Sequence, residues 1–308
     1  MMDPTLALPV DDELRQVFRR YLAGEISGHV AILQLLTETS LAEIERTFAL
    51  LTDAAGDLEN ADSERLRELA ELFTSNRERC AEISKGLETQ PAFLSDAVSE
   101  AERIAHYSRL FDRLVGESPE ASVAAYSLGR VDVLRRATAE IVDFLIAGRI
   151  ISGDKRILQI GCGIGRMEKA LSPLVLSAAG IDISPEMIAT ARERCRGLHN
   201  VDLQVTSGLD LSMFEDGSLD LVYAVDSFPY VVAVGNDLVD RYFAEAARVL
   251  VPGGEFLILN FSYRESIELD RADVAALAAR HSFQVVSSGQ KPFELWDGAA
   301  FHLRLKSS

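Results

Sequence analysis

Ile157-Leu-Gln-Ile-Gly-Cys-Gly-Ile-Gly165 is a short apolar run that breaks into glycine at every second position. The first four residues read as a buried strand, and the glycines as a tight turn into a helical pattern at Met167–Leu171. Glycine suits such a turn because the backbone angles disfavour a Cβ, and because its absence lets a ligand approach the main chain closely. A strand-to-helix turn that binds nothing uses the same residues, so the glycines alone leave both readings open.

Downstream, short β-branched runs (157–160, 179–183, 201–205, 219–225, 255–260) alternate with helical patterns (185–196, 238–250, 271–280). That alternation implies an α/β fold with a mostly parallel sheet and right-handed crossovers. The tail has two strand-like runs, 283–287 and 300–306, with turn residues but no helix between them, so a hairpin adding an antiparallel edge strand is expected. In Gly180-Ile-Asp182-Ile-Ser-Pro-Glu-Met187 a carboxylate ends the second strand, about 20 residues past the glycines, where ribose recognition places one. Ile183 and Met187 are apolar and positioned to sandwich a flat ring. Taken alone, Asp182 serves equally well as the N-cap of the helix beginning at Pro185.

Upstream, residues 11–115 read as successive helices, an N-terminal all-α domain. Leu14, Val17, Phe18, Tyr21 and Leu22 fall on one face, and Gly24 ends that pattern. A second segment covers 30–36. Ser40-x-x-Glu43 forms a capping box before Leu41, Ile44, Phe48 and Leu51, and Gly56 and Asn60 break the pattern. Asp62 starts a long helix carrying Leu66, Leu69, Phe73, Cys80 and Ile83; Pro91 precedes another with Ile104, Leu110, Phe111 and Leu114. Gly116–Glu120 reads as the linker to a fresh helical pattern at 123–147, dividing the chain into 1–118 and 119–308.

The 308 residues carry 31 basic and 48 acidic side chains, a formal charge of −17, and neither half has a basic footprint for nucleic acid or an anionic membrane. Cys80, Cys162 and Cys195 lack metal-ligand spacing, so no metal site and no disulfide framework is expected. An acidic start (Asp3, Asp11, Asp12, Glu13) and the absence of a spanning apolar run predict a cytoplasmic protein.

Four motifs in order, Leu158-Gln-Ile-Gly-Cys-Gly-Ile-Gly165, Gly180-Ile-Asp-Ile-Ser-Pro-Glu-Met187, Phe214-Glu-Asp-Gly-Ser-Leu-Asp-Leu-Val222 and Arg248-Val-Leu-Val-Pro-Gly-Gly254, resemble those of the class I S-adenosylmethionine-dependent methyltransferases. The resemblance covers roughly residues 125–308 and leaves the N-terminal helices unexplained. It implies a Rossmann-like sheet, S-adenosylmethionine as cofactor, Gly161, Gly163 and Gly165 beside its methionine part, Asp182 on the ribose, and Leu209 with Asp210 at the adenine; Cys162, Ile183 and Met187 join these as cofactor-binding candidates. It also implies that the strand through Asp220 ends near the methyl group at Asp226. Two departures stand out: Gln159 occupies a position often acidic in the family, and Ser207-Gly208 replaces its common Gly-Asp.

A sulfonium methyl is already activated, so aligning an acceptor supplies much of the acceleration, and a base helps when the acceptor is a hydroxyl. Asp226 in Asp226-Ser-Phe-Pro-Tyr230 is the acid/base or orienting candidate, with Tyr230 beside it and Phe228, Tyr230 and Tyr263 as acceptor-lining candidates. An aspartate capping a turn beside packing aromatics fits the same residues. Tyr126, Arg130 and Arg166 are placed to meet the cofactor carboxylate or close the pocket, each arginine otherwise a solvated surface charge. Trp296 reads as core or edge, and His29 and His106 as structural unless the helices bring them over the site. The expected function is methylation of an O or N atom of a small metabolite. A protein or carrier-bound acceptor, and a non-catalytic scaffold, are the alternatives. The helical domain is expected to act as lid, specificity module or homodimer interface. A nicotinamide dehydrogenase is disfavoured because Arg166 follows Gly165, breaking the Gly-x-Gly-x-x-Gly spacing.

Overall fold

The computed structural model describes residues 11–55, 61–88, 98–264 and 266–307, with backbone alone for 51–55 and 86–88. Asp3, Gly56, Asn60 and Pro91, and the side chain of Leu51, therefore lie outside the described residues. The chain divides into two compact units. One comprises Met1–Ala92, Ala124–Leu134 and Glu294–Asp297; the other comprises Phe93–Val123, Arg135–Phe293 and Gly298–Ser308.

The larger unit is built on β1 (Arg156–Ile160), β2 (Ser177–Asp182), β3 (Val201–Val205), β4 (Leu219–Val225), β5 (Leu250–Leu259), β6 (Phe283–Gln290) and β7 (Ala300–Leu305), in the order β3-β2-β1-β4-β5-β7-β6. The first five strands are parallel. The expected hairpin is present, but the strand running against the others is β7, one place in from the edge, and β6 forms the edge itself. Alternation sends Leu158, Ile160, Val222, Ala224, Phe256 and Ile258 to one face, where they form a single core with Phe243, Ala246 and Val274. Strand order reverses between β1 and β4. The crevice beyond the carboxyl ends of strands at such a reversal is where open α/β sheets bind ligands.

Among the described residues the helices are α1 (Asp12–Leu22), α2 (Gly28–Glu38), α3 (Leu41–Ala55), α4 (Ala61–Ser75), α5 (Arg77–Glu88), α6 (Glu100–Glu117), α7 (Pro119–Val123), α8 (Val131–Ala147), α9 (Arg166–Leu171), α10 (Pro185–Arg194), α11 (Phe228–Val234), α12 (Asn236–Val249) and α13 (Ile267–Arg280). The long helix expected from Asp62 is two, interrupted at Asn76. The Asn76 amide there donates to the Leu72 carbonyl at 2.8 Å, a side-chain bond that competes with helix continuation. The helical pattern at 123–147 is likewise broken, by left-handed Leu128 and Gly129 before α8.

In the helical unit, Phe18, Phe48 and Phe73 form an aromatic core with ring centroids 6.0 and 5.1 Å apart. Ser27 caps α2, accepting from the Val30 amide, and its hydroxyl donates to the Leu295 carbonyl. Tyr126 stacks on Trp296 at 6.2 Å. The unit thus takes in two segments from beyond residue 118. In the other direction, α6 belongs with the sheet and not with the preceding helices. A capping box at Ser99 and Glu102 starts it, and Ile104, Tyr107 and Phe111, on one face, pack into the sheet unit.

Candidate active site

The chain turns from β1 into α9 through Gly161 (φ +68°) and Gly163 (φ +53°). A Cβ on Gly161 would lie 2.3 Å from the Ser227 Cβ, and one on Gly163 would lie 2.5 Å from the Val123 Cγ1, so both conformation and contact demand glycine. Asp182 fixes the loop: its Oδ2 accepts from the Gly163 amide and its Oδ1 from the Ser184 amide, each at 2.9 Å. Burial raises its pKa to about 6 despite these bonds. Ser184 is the N-cap of α10, its hydroxyl oxygen accepting from the Met187 amide, so the capping role open to Asp182 in the sequence belongs to its neighbour. The Ser184 hydroxyl donates to Asp112 of α6 at 2.6 Å.

Ile183 and Leu209 are partly buried against the main core, and Ile183 and Ile104 both flank Gly208. Ser108 of α6 donates to the Ile183 carbonyl. Met187 is buried near Gly163, and Asp210 accepts from the amide and hydroxyl of Ser212, as a turn aspartate does. Arg166 is buried and donates to Thr138 of α8 at 3.0 Å.

On the sheet face opposite the main core, Gln159 and Tyr223 are register neighbours on β1 and β4. The Gln159 Oε1 is buried there with no hydrogen-bond partner among the described residues, and the Tyr223 hydroxyl and the Glu168 carboxylate are buried facing each other. Burial pushes the Glu168 pKa up to about 8. Sequence reasoning missed Glu168; the signal was a charged residue facing the sheet from the first turn of a helix that begins at the glycine loop.

Asp226 directly follows β4 in the left-handed region (φ +57°), and its amide donates to the Leu259 carbonyl of β5. The Asp226 Oδ1 accepts from the Asn260 side-chain amide at 2.8 Å and from the Tyr263 hydroxyl at 3.2 Å. Tyr230 of α11 packs edge-to-face with Tyr107 (5.3 Å), Phe111 (4.9 Å) and Tyr263 (5.7 Å). Burial, then the Asp226 charge, raises the Tyr230 pKa, so its hydroxyl stays protonated at neutral pH.

Asp226, Tyr230 and Tyr263 therefore come together as the sequence suggested, joined by Asn260, Tyr107 and Phe111, which it did not single out. Phe228 is a correction: it is fully buried among Tyr242, Phe243, Phe256 and Phe261, a core ring and not an acceptor-lining one. The Cys162 side chain is also buried, against Ile188, Ala191 and Leu203. Tyr126 and Arg130 belong to the helical unit, where Tyr126 stacks on Trp296 and Arg130 pairs with Asp132 at 2.7 Å. His106 packs beside Tyr107. Among the described residues there is no cluster of histidine, cysteine and acidic residues able to hold a metal, and no helix long and apolar enough to cross a membrane.

Residues 158–258 match a family model described as a methyltransferase domain. The chain is 29% identical over 168 residues to the demethylmenaquinone methyltransferase of Tropheryma whipplei (strain Twist), covering 54% of this chain and 64% of that protein. It is 28% identical over 116 residues to the ubiquinone biosynthesis O-methyltransferase of Xanthomonas oryzae pv. oryzae (strain PXO99A), covering 37% and 46%. The chain thus spans less than two thirds of the length of either relative. In fold it resembles phosphoethanolamine N-methyltransferase 1 of Haemonchus contortus, with a TM-score of 0.55 at 14% identity over 70% of this chain and 52% of that one.

Proposed function

We propose that this chain, whose residues 158–258 match a methyltransferase-domain model, is a class I S-adenosylmethionine-dependent enzyme that methylates an O or N atom of a small metabolite. The observation that carries the reading is the buried Asp182 carboxylate, held by two backbone amides at the end of β2 beside the glycine loop. A carboxylate has about four acceptor sites, so the two amide bonds and the nearby Ile183 amide leave room for a ribose hydroxyl. Gln159 Oε1, buried without a partner near the end of β1, supplies a further acceptor, and Ile183 and Leu209 supply apolar surface for the adenine. These residues fit S-adenosylmethionine, which when bound supplies a methyl group activated on a sulfonium.

Asp226 sits at the carboxyl end of β4, with Asn260 orienting its Oδ1. In this reading Asp226 binds the acceptor and takes its proton, while Tyr230 shapes the acceptor side. Asp182 holds ribose and sets the glycine loop. The acidic charge and the relatives named for demethylmenaquinone methylation and for O-methylation in ubiquinone biosynthesis support a small-molecule acceptor over nucleic acid. Three buried free cysteines suit a reducing compartment such as the cytoplasm.

The test is calorimetric binding of S-adenosylmethionine, S-adenosylhomocysteine and NAD to wild type and Asp182→Ala. The reading expects binding of the first two, no binding of NAD, and at least tenfold weaker binding by the variant. A folded wild type that binds neither sulfur nucleoside overturns it.

A further inference from the structure

We infer that the methyl acceptor is a phenol, and that it takes the place beside Asp226 and Tyr230 that the Tyr263 side chain holds. The inference rests on the methyltransferase reading and concerns the acceptor side of that site. Tyr263 is 57% exposed, although its hydroxyl bonds to Asp226 and its ring meets Tyr230 edge-to-face. Held through its hydroxyl by Asp226 and Tyr230 and through its ring by Tyr230, the side chain shows one arrangement that this surface fits: a flat ring packed at 83° to Tyr230 and a hydroxyl 3.2 Å from Oδ1.

The arrangement favours an aromatic ring over a cation. Tyr107, Phe111 and Tyr263 each meet Tyr230 at 69° to 84°, a herringbone that a further ring extends. A cation cage needs ring faces that converge on one point, and these rings face one another's edges. The receiving half of the site is held on regular structure. Tyr107 and Phe111 lie one turn apart on α6, Tyr230 is in the first turn of α11, and Asn260 at the end of β5 fixes the Asp226 carboxylate. Tyr263 follows β5 outside any helix or strand, so it is the member able to leave without disturbing the others.

Binding then exchanges one phenol for another. The Tyr263 hydroxyl releases Oδ1, the acceptor hydroxyl donates to it, and on methylation an electron pair of the phenol oxygen forms the new O–CH3 bond as the S–CH3 bond of the sulfonium breaks with its pair left on sulfur, while the phenolic proton passes to the Asp226 carboxylate. Tyr263 thereby competes with the acceptor, and removing only its hydroxyl should help an acceptor bind.

The experiment titrates the full chain, saturated with S-adenosylhomocysteine, with 4-methylphenol, 4-methylanisole and 4-methylbenzylamine, followed by calorimetry and ligand-observed NMR. The phenol is expected to bind at least about tenfold more tightly than the anisole, because only the phenol donates to a carboxylate. Tyr263→Phe is expected to tighten phenol binding about threefold or more, and Asp226→Asn to remove the preference over the anisole. A preference for the amine that depends on Asp226, or phenol affinity unchanged or weakened in Tyr263→Phe, overturns the inference while saturable S-adenosylhomocysteine binding leaves the methyltransferase reading standing. Failure of S-adenosylhomocysteine itself to bind the folded protein sinks both.

Discussion

Protonation of Asp182 should gate cofactor affinity near neutral pH. Its pKa of about 6 lies above the ordinary 3.8 because burial disfavours the charge more than the amides of Gly163, Ile183 and Ser184 favour it. Ribose hydroxyls bond best to the ionised form. At pH 7 about nine tenths of the sites are ionised and at pH 5 about one tenth, so affinity should fall about tenfold between them, or about 1.4 kcal/mol. Asp182→Asn should bind more weakly than wild type at pH 7, by about tenfold for the lost charge-assisted bonds, and show no titration. The two proteins should therefore converge toward pH 5. Calorimetric titration with S-adenosylhomocysteine at half-unit intervals from pH 5 to 7.5 reads both curves. A flat wild-type profile, or one that the substitution merely shifts in parallel, refutes the assignment of Asp182 to the ribose.

Three further outcomes are expected. Glu168, whose pKa rises from 4.5 to about 8, contributes stability that is full below pH 4.5 and is lost as pH climbs through 8. Glu168→Gln should thus gain several degrees in Tm over wild type at pH 9 relative to pH 6, and a gap equal at both pH values refutes the buried charge. Gly163→Ala combines about 1–2 kcal/mol of left-handed strain with about 1–3 kcal/mol of overpacking against Val123, so its urea midpoint should fall clearly. A wild-type midpoint contradicts the contact. Buried Glu255 bonds Lys155 at 2.7 Å, Arg304 at 3.0 Å and His302 at 3.2 Å, and its pKa falls from 4.5 to about 2. Its contribution is present above pH 4.5 and lost as pH falls through about 2. Glu255→Gln should therefore cost about 2–4 kcal/mol in urea unfolding at pH 7, with the cost shrinking by pH 3; an undiminished cost shows that packing, not charge, holds the site.

The sheet was legible because period-two and period-3.6 patterns alternate cleanly from Arg156 onward and the glycines punctuate the first crossover. The position of β7 between β5 and β6 was not, since a hairpin pattern does not say which of its strands faces the sheet. At the site, Asp182 and Asp226 were readable as carboxylates at strand ends. The division of labour between Asp182 and Ser184 was hidden, because either side chain can reach a helix amide. Phe228 misled for a related reason: α11 starts right after β4, and its first turn puts Phe228 inward and Tyr230 toward Tyr263. The affiliation of α6 is a tertiary matter. Its apolar stripe of Ile104, Tyr107 and Phe111 suits a helical bundle as well as a sheet unit, and sequence proximity to α5 favoured the bundle.

Trp296 lies 38 residues beyond Ile258, the last residue of the methyltransferase match, yet it is buried in the helical unit, stacked on Tyr126, between Leu295 and Asp297, which bond Ser27 and Gln34. Spectroscopically, the chain carries one indole, and that indole monitors the helices. Its emission should report denaturation of α1–α5, while far-ultraviolet dichroism at strand wavelengths follows the sheet. One unlabelled sample thus yields two unfolding curves, and their coincidence or separation measures how cooperatively the two units melt.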